Sequence, residues 1–188
     1  MKNEIIKILN LGLDDGPIGR CVRLQKVLEI LLPRVGGNVV EIGGGGGQVS
    51  SFIAGVIQQY SRKLLVIDPW ELPLAEFPFE YYLETTKEYG ECITICHSRS
   101  DSVATREAVT EFCPLALGFV DGEQITTDGV LDDINLLAGA EVICVDDIRH
   151  TGRPIRTAVE KFLIGRDDYE WILPHDPKNN IETYLVKK

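Results

Sequence analysis

The sequence predicts an α/β protein built on an open, doubly wound sheet that is mostly parallel and closes with an antiparallel hairpin. Three observations predict it. Helix-like and strand-like segments alternate along the 188 residues, and the strand-like ones are short, continuous apolar runs. The last third differs, with two strand-like segments and no helix between them. Continuous apolar runs fit parallel strands covered by helices on both faces, whereas half-exposed antiparallel strands would alternate apolar with polar residues.

The elements follow in order. Residues 3–10 and 21–32 place apolar side chains at helical spacing, the second through Val22, Leu24, Val27, Leu28 and Leu31, and Pro33, Gly36 and Gly37 stop it. Strands are expected at 38–42 (NVVEI), 63–68 (KLLVID), 91–96 (ECITIC), 115–121 (LALGFVD) and 141–147 (EVICVDD). Amphipathic stretches at 47–60, 76–89, 101–112, 126–138 and 154–164 read as the intervening helices. Segments 168–173 and 181–187, joined by the turn-rich PHDPKNN, should pair antiparallel. Five βα units and a hairpin make seven strands in one domain, with N-terminal helices in 1–35 and the core in 36–188.

Composition bounds the function. An apolar fraction of 44% and a charged fraction of 26% are ordinary for a soluble globular chain. No apolar run approaches the roughly 18 residues of a membrane span, so no membrane partner is expected. The N-terminal MKNEIIKILN lacks the uninterrupted apolar core of a signal peptide, and a cytoplasmic location is expected. Nineteen Lys and Arg against 29 Asp and Glu leave a net charge of −10, which repels a phosphate backbone and argues against nucleic acid as a partner. The five cysteines (Cys21, Cys92, Cys96, Cys113, Cys144) form no C-x-x-C pair and read as free thiols of a reducing compartment. Cys92, Cys96 and His97 lack the second ligand pair of a zinc site, and the cysteines are expected to be ordinary core thiols.

Ligands of a doubly wound sheet bind beyond the carboxyl ends of its strands, at the switch in strand order. Acids gather there: Asp68, Asp121, Asp146 and Asp147 end their strands, and Glu41 stands two residues before the run Gly43 to Gly47. Asp is also common at loop starts and helix caps, but the repetition favours function. The glycine spacing selects the ligand. A dinucleotide G-x-G-x-x-G opening at Gly43, Gly44 or Gly45 would need its third glycine at Gln48, Val49 or Ser50, and no lysine follows as a P-loop requires. E-x-G-x-G-x-G does fit, through Glu41, Gly43, Gly45 and Gly47. An anionic mouth suits a cofactor with a cationic amino-acid portion and no phosphate. Asp68, about 25 residues on, is placed as in a Rossmann-like unit to accept hydrogen bonds from ribose hydroxyls.

The ordered set VVEIGGGGG, LLVIDPW, LGFVDGEQITTDGVLDDINLL and EVICVDDIRHTGRPIRTAVEKF, spanning about residues 36 to 165, resembles class I S-adenosylmethionine-dependent methyltransferases. The resemblance is to the group that includes macrocin O-methyltransferases and cephalosporin-hydroxylase-like proteins. It implies a Rossmann-like sheet of seven strands and S-adenosylmethionine as cofactor. Contacts are implied at Glu41, Gly43, Gly45, Gly47, Asp68, Trp70, Asp121 and the segment Ser98, Arg99, Ser100. It also implies, in the metal-dependent members, a divalent ion held by Asp121, Asp146 and Asp147.

The residues support a metal independently, because three carboxylates at neighbouring strand ends suit a hard ion such as Mg²⁺ and would otherwise repel one another. The alternative is that Asp147 caps the next segment and Asp121 touches only the cofactor. Where the resembling group commonly places His or Lys after the strand-four Asp, this chain has Gly122, Glu123 and Gln124. His150, three residues after Asp147, is the candidate general base, beside Asp121 as the other candidate catalytic residue. The aromatics Trp70, Phe77, Phe79, Tyr81, Tyr82 and Tyr89 form either a pocket wall or a helix packed on the sheet. Arg149, His150, Arg153 and Arg156 either attract an anionic substrate or neutralise nearby acids. The leading expectation is metal-assisted O-methylation of a small hydroxylated molecule, with homo-oligomerisation left open. The alternatives are a degenerate, non-catalytic S-adenosylmethionine- or nucleotide-binding protein and, against the glycine spacing, a nicotinamide-dependent oxidoreductase.

Overall fold

The computed structural model describes residues 1–11, 17–71, 77–122, 126–148, 154–173 and 182–188. Two helices, α1 (Lys2–Leu9) and α2 (Pro17–Leu31), lead into β1 (Asn38–Ile42) and α3 (Gln48–Ile57), which ends in a short 3₁₀ turn. Then come β2 (Leu64–Asp68), α4 (Phe79–Thr86), β3 (Ile93–His97), α5 (Val103–Phe112), β4 (Leu115–Val120) and α6 (Thr127–Leu136). The chain finishes with β5 (Val142–Val145), α7 (Ile155–Leu163), β6 (Tyr169–Ile172) and β7 (Thr183–Lys187). Each expected strand and helix is present, with ends shifted by a few residues.

The seven strands form one sheet in the order β3-β2-β1-β4-β5-β7-β6. Strands β1 to β5 pair parallel, and β7 inserts antiparallel between β5 and β6. The order reverses between β1 and β4, so the switch point lies where the carboxyl ends of those two strands diverge. The β6–β7 pairing is the expected hairpin. The sequence did not foresee that β7 would take the inner position, and its run Tyr184, Leu185, Val186 is buried on both faces there.

Successive residues of a strand face opposite sides of a sheet, and the core divides accordingly. One face packs Val39, Leu64, Val66, Leu117, Phe119, Cys144 and Tyr184 under α1, α2 and α3. The other packs Val40, Ile42, Leu65, Ile67, Val120, Ile143 and Leu185 under α5, α6 and α7. Among the described residues no helix is long and apolar enough to cross a membrane.

Helix α2 joins its face of the sheet by more than apolar contact. Arg23 lies on the same stripe as Leu24, Val27, Leu28 and Leu31, is 1% exposed, and makes a two-pronged ion pair with the fully buried Glu182 at the start of β7. Its Nη2 donates to Oε2 at 3.0 Å, while Nε donates to Oε1. Both charges have left water, so removing one strands the other. Arg23→Ala is expected to lower unfolding stability by about 3–5 kcal/mol in urea denaturation. The Arg23→Met/Glu182→Leu double variant should recover a substantial part of that loss.

Candidate functional site

The same period of two that divides the core sets a row of carboxylates along one edge. Glu41 follows Val39, Asp68 follows Val66, Asp121 follows Phe119 and Asp146 follows Cys144, each by two residues, while Glu182 precedes Tyr184 by two. All five partners pack on the face covered by α2 and α3. The row therefore lies on that face at the carboxyl edge, where β7, running the other way, begins. Four of the five were expected to converge there; Glu182 was not.

The glycine loop crosses this edge between β1 and α3. Gly43, Gly45 and Gly47 have φ of 96°, 47° and 83°, a left-handed region that disfavours other residues, whereas Gly44 and Gly46 do not. The alternation is that of E-x-G-x-G-x-G. A Cβ on Gly43 would sit 2.1 Å from the carbonyl oxygen of Asp121, so this turn requires close approach to the end of β4. A Cβ on Gly45 would meet nothing within 4 Å, which leaves the crest of the loop facing open space.

Asp68 holds the loop. Its Oδ2 accepts from the Gly45 amide at 3.0 Å and its Oδ1 from the Trp70 amide at 2.7 Å. Trp70 closes the connection, with its indole Nε1 donating to the Gly45 carbonyl at 2.9 Å. Each carboxylate oxygen keeps a lone pair for a further donor. Trp70 itself is 5% exposed, at a φ of 43°, and packs against Phe79 and Tyr82 at centroid distances of 4.8 and 4.7 Å. Its role here is to brace the loop. Among the described aromatics, Trp70, Phe79 and Tyr82 follow the packed-helix reading, and Phe77 stacks on the exposed Tyr81 at 5.0 Å.

Glu41 is wholly buried beneath the loop. Its Oε2 accepts from Ser50 Oγ at 2.5 Å, while Oε1 has no hydrogen-bond partner among the described residues. Burial pushes the carboxyl up to about 8; Asp121 and Asp68 push the same way, and Ser50 and Arg20 oppose them. Without a ligand the group is largely protonated at neutral pH. Ser50, two residues into α3, carried no signal in the glycine motif.

The segment after β3 has a local task. Ser98 Oγ donates to Ser102 Oγ at 2.8 Å, Ser102 accepts from the Thr105 amide at 3.0 Å as the N-cap of α5, and Thr105 Oγ1 donates to the Arg99 carbonyl. Arg99 is exposed and pairs with Asp101 at 3.4 Å, and Ser100 is half-buried. The stretch is thereby fixed at the β2–β3 end of the edge. His97 Nε2 lies 2.7 Å from the Pro69 carbonyl oxygen, Cys96 Sγ lies 3.7 Å from Thr105 Oγ1, and Cys92 donates to backbone oxygens. Cys92 is a core thiol, as expected, Cys96 is half-buried at the edge of the core, and His97 is exposed.

The structure places an arginine among the three expected metal ligands. Arg20, on α2 one turn before Arg23, donates from Nη1 to Asp146 Oδ2, and the same nitrogen lies 3.7 Å from Asp121 Oδ2. A guanidinium therefore stands between the two carboxylates that were to share an ion. Among the described residues, which include Asp121, Asp146 and Asp147, no group of three or more side chains is disposed to hold a metal. Asp147 takes a φ of 56° just after the strand. The arginine lies more than 100 residues upstream; the signal available in sequence was Arg20 and Arg23 one turn apart beside the apolar stripe of Leu24, Val27, Leu28 and Leu31. Asp146 is 1% exposed, and burial pushes its carboxyl up to about 6, with Arg20 opposing and Asp147 reinforcing the shift.

His150 lies outside the described residues, as do Arg149, Arg153, Glu123, Gln124 and His175. Arg156, on α7, is exposed and pairs with Glu160 at 3.1 Å on its own helix.

No protein-family profile matches the chain. Over 88 residues it is 34% identical to a protein of Enterococcus faecalis designated ribose-phosphate pyrophosphokinase 1, a match covering 45% of this chain and about a quarter (26%) of that one. Among solved structures, apo CalS11, a TDP-rhamnose 3'-O-methyltransferase of calicheamicin biosynthesis, superposes with a TM-score of 0.69 at 16% identity, over 90% of this chain and 79% of that one. The O-methyltransferase TomG of Streptomyces achromogenes, solved with S-adenosylmethionine, gives 0.61 at 20% identity, over 87% and 78%. The chain has the Rossmann-like fold of class I methyltransferases.

Two outcomes follow from this geometry. Gly43→Ala should be poorly folded, whereas Gly45→Ala, with space but a left-handed φ, should cost only about 1–2 kcal/mol, as thermal melts will show. A carboxyl raised to about 8 binds a proton in the folded state that it loses in the unfolded one, so between about pH 5 and 8 stability falls as pH rises. The wild-type Tm should drop by at least about 5 °C across that window, and Glu41→Gln should flatten the drop.

Proposed function

We propose that this protein is an S-adenosylmethionine-dependent methyltransferase acting on a hydroxyl of a small molecule. The observation that carries the reading is the glycine loop at the β1/β4 switch, with left-handed glycines at Gly43, Gly45 and Gly47, a buried acid (Glu41) beneath it and Asp68 tied to its crest. Gly45 lets a ligand approach the backbone there. Asp68 retains acceptor capacity for a ribose diol. Glu41, with Oε1 unpartnered among the described residues, lies beneath the same loop as an acidic counterpart for the cofactor's cationic amino-acid portion.

Bound S-adenosylmethionine supplies a methyl group on a positively charged sulfur. The chain's part is to hold the acceptor oxygen in line with that methyl and to take its proton. Asp121, at the end of β4 beside Gly43, borders the proposed transfer site. His150 remains the proposed base. Ser98, Arg99 and Ser100 are proposed to border the adenine end. CalS11 and TomG, by their descriptions O-methyltransferases, support the choice of an oxygen acceptor. The Enterococcus similarity brings ribose phosphates in as a competing ligand class; the absence of a lysine from the glycine loop and the carboxylate row argue against them.

Calorimetry with S-adenosylhomocysteine, NAD and ribose 5-phosphate tests the cofactor directly. S-adenosylhomocysteine should bind, Asp68→Ala should weaken it by roughly 30-fold or more, and tighter binding of either competitor would overturn the reading. In a panel of hydroxylated small molecules, His150→Ala should lower kcat at least roughly 100-fold and remove the acidic limb of the pH profile while S-adenosylhomocysteine binding stays unchanged. Cofactor binding with no turnover on any acceptor would favour the non-catalytic alternative.

A further inference from the structure

We propose that Arg20 is the resident cation of the Asp121–Asp146 pair and keeps divalent ions out of this site. The proposal rests on the methyltransferase reading only for its consequence, that transfer here proceeds without a metal. The two carboxylates end adjacent parallel strands on the same face, an arrangement that would attract a hard cation. The guanidinium already meets that demand. Its Nη1 is bonded to Asp146 and lies 3.7 Å from Asp121, with Arg20 17% and Asp146 1% exposed.

A divalent ion requires several oxygen ligands at about 2.0–2.6 Å, so it would have to displace the guanidinium from Asp146. That displacement would leave a partly buried arginine without its partner, next to a doubly charged ion. The helix that carries the arginine is itself held in place: one turn along α2, Arg23 is locked into Glu182 by two hydrogen bonds. Arg20 thus acts as a positioning residue, fixing two carboxylates beside the glycine loop in the absence of a metal.

The test is Mn²⁺ titration of the whole protein, read by electron paramagnetic resonance and by thermal shift, alongside S-adenosylhomocysteine calorimetry. Wild type and Arg20→Lys, which keep the cation, should show no stoichiometric Mn²⁺ binding in the micromolar range. Arg20→Met should bind Mn²⁺ roughly 100-fold more tightly than wild type, and adding Asp146→Asn should abolish the gain. Stoichiometric Mn²⁺ binding by wild type that Asp146→Asn removes would overturn the proposal, as would a folded Arg20→Met that gains none. If Arg20→Met does not fold, the wild-type and Arg20→Lys titrations decide, Mn²⁺ binding in either overturning it and absence in both upholding it. Failure of the methyltransferase reading would show only in the S-adenosylhomocysteine titration, which none of these outcomes uses.

Discussion

Crowded carboxylates on one face of one sheet edge are the constraint from which the rest of the site follows. Glu41, Asp68, Asp121, Asp146 and Glu182 are carried there by five strands whose apolar residues two positions away anchor the same face in the core. Like charges at that spacing, partly out of water, are costly unless compensated. The chain compensates in three ways. Arg20 and Arg23 of α2 answer three of the acids, Asp68 accepts one backbone amide on each oxygen, and Glu41 keeps a proton. The packing of α2 on the sheet is therefore an electrostatic matter as much as an apolar one.

The glycine loop depends on the same row. Gly43 passes within touching distance of the end of β4, and Gly45 is held by Asp68 on one side and the Trp70 indole on the other. Trp70 in turn rests on Phe79 and Tyr82 of α4. The loop's shape is thus maintained from below by Glu41 and Ser50 and laterally by the β2 turn, while its crest stays open. A site preorganised in this way spends little ligand-binding free energy on ordering its backbone.

Burial of two acids gives the protein a pH signature opposite to that of salt-bridged surface carboxylates. Glu41 and Asp146 are both raised, so folding takes up protons as pH falls toward 5 and stability grows in that direction. A cationic ligand placed against Glu41 would reverse its share by favouring the charged form.

Much of this was legible in one dimension. Alternating periods of 3.6 and near-continuous apolar runs determined the order and type of the elements, because burial on one helix face or both sheet faces imposes those patterns locally. The E-x-G-x-G-x-G spacing singled out Gly43, Gly45 and Gly47, the three that take left-handed φ, a region only glycine occupies cheaply. Even the convergence of Glu41, Asp68, Asp121 and Asp146 was readable, because parallel strands end at a common edge. What only the tertiary structure decided is which cation sits among the acids. Arg20 is more than 100 residues from Asp121 and Asp146, and Arg23 from Glu182, on a helix that reads simply as amphipathic, and Glu182 joins the row only because β7 enters the sheet in reverse beside β5. Charge compensation acts through space with no period along the chain, so a carboxylate cluster in sequence suggests a metal until the packing of α2 supplies a guanidinium.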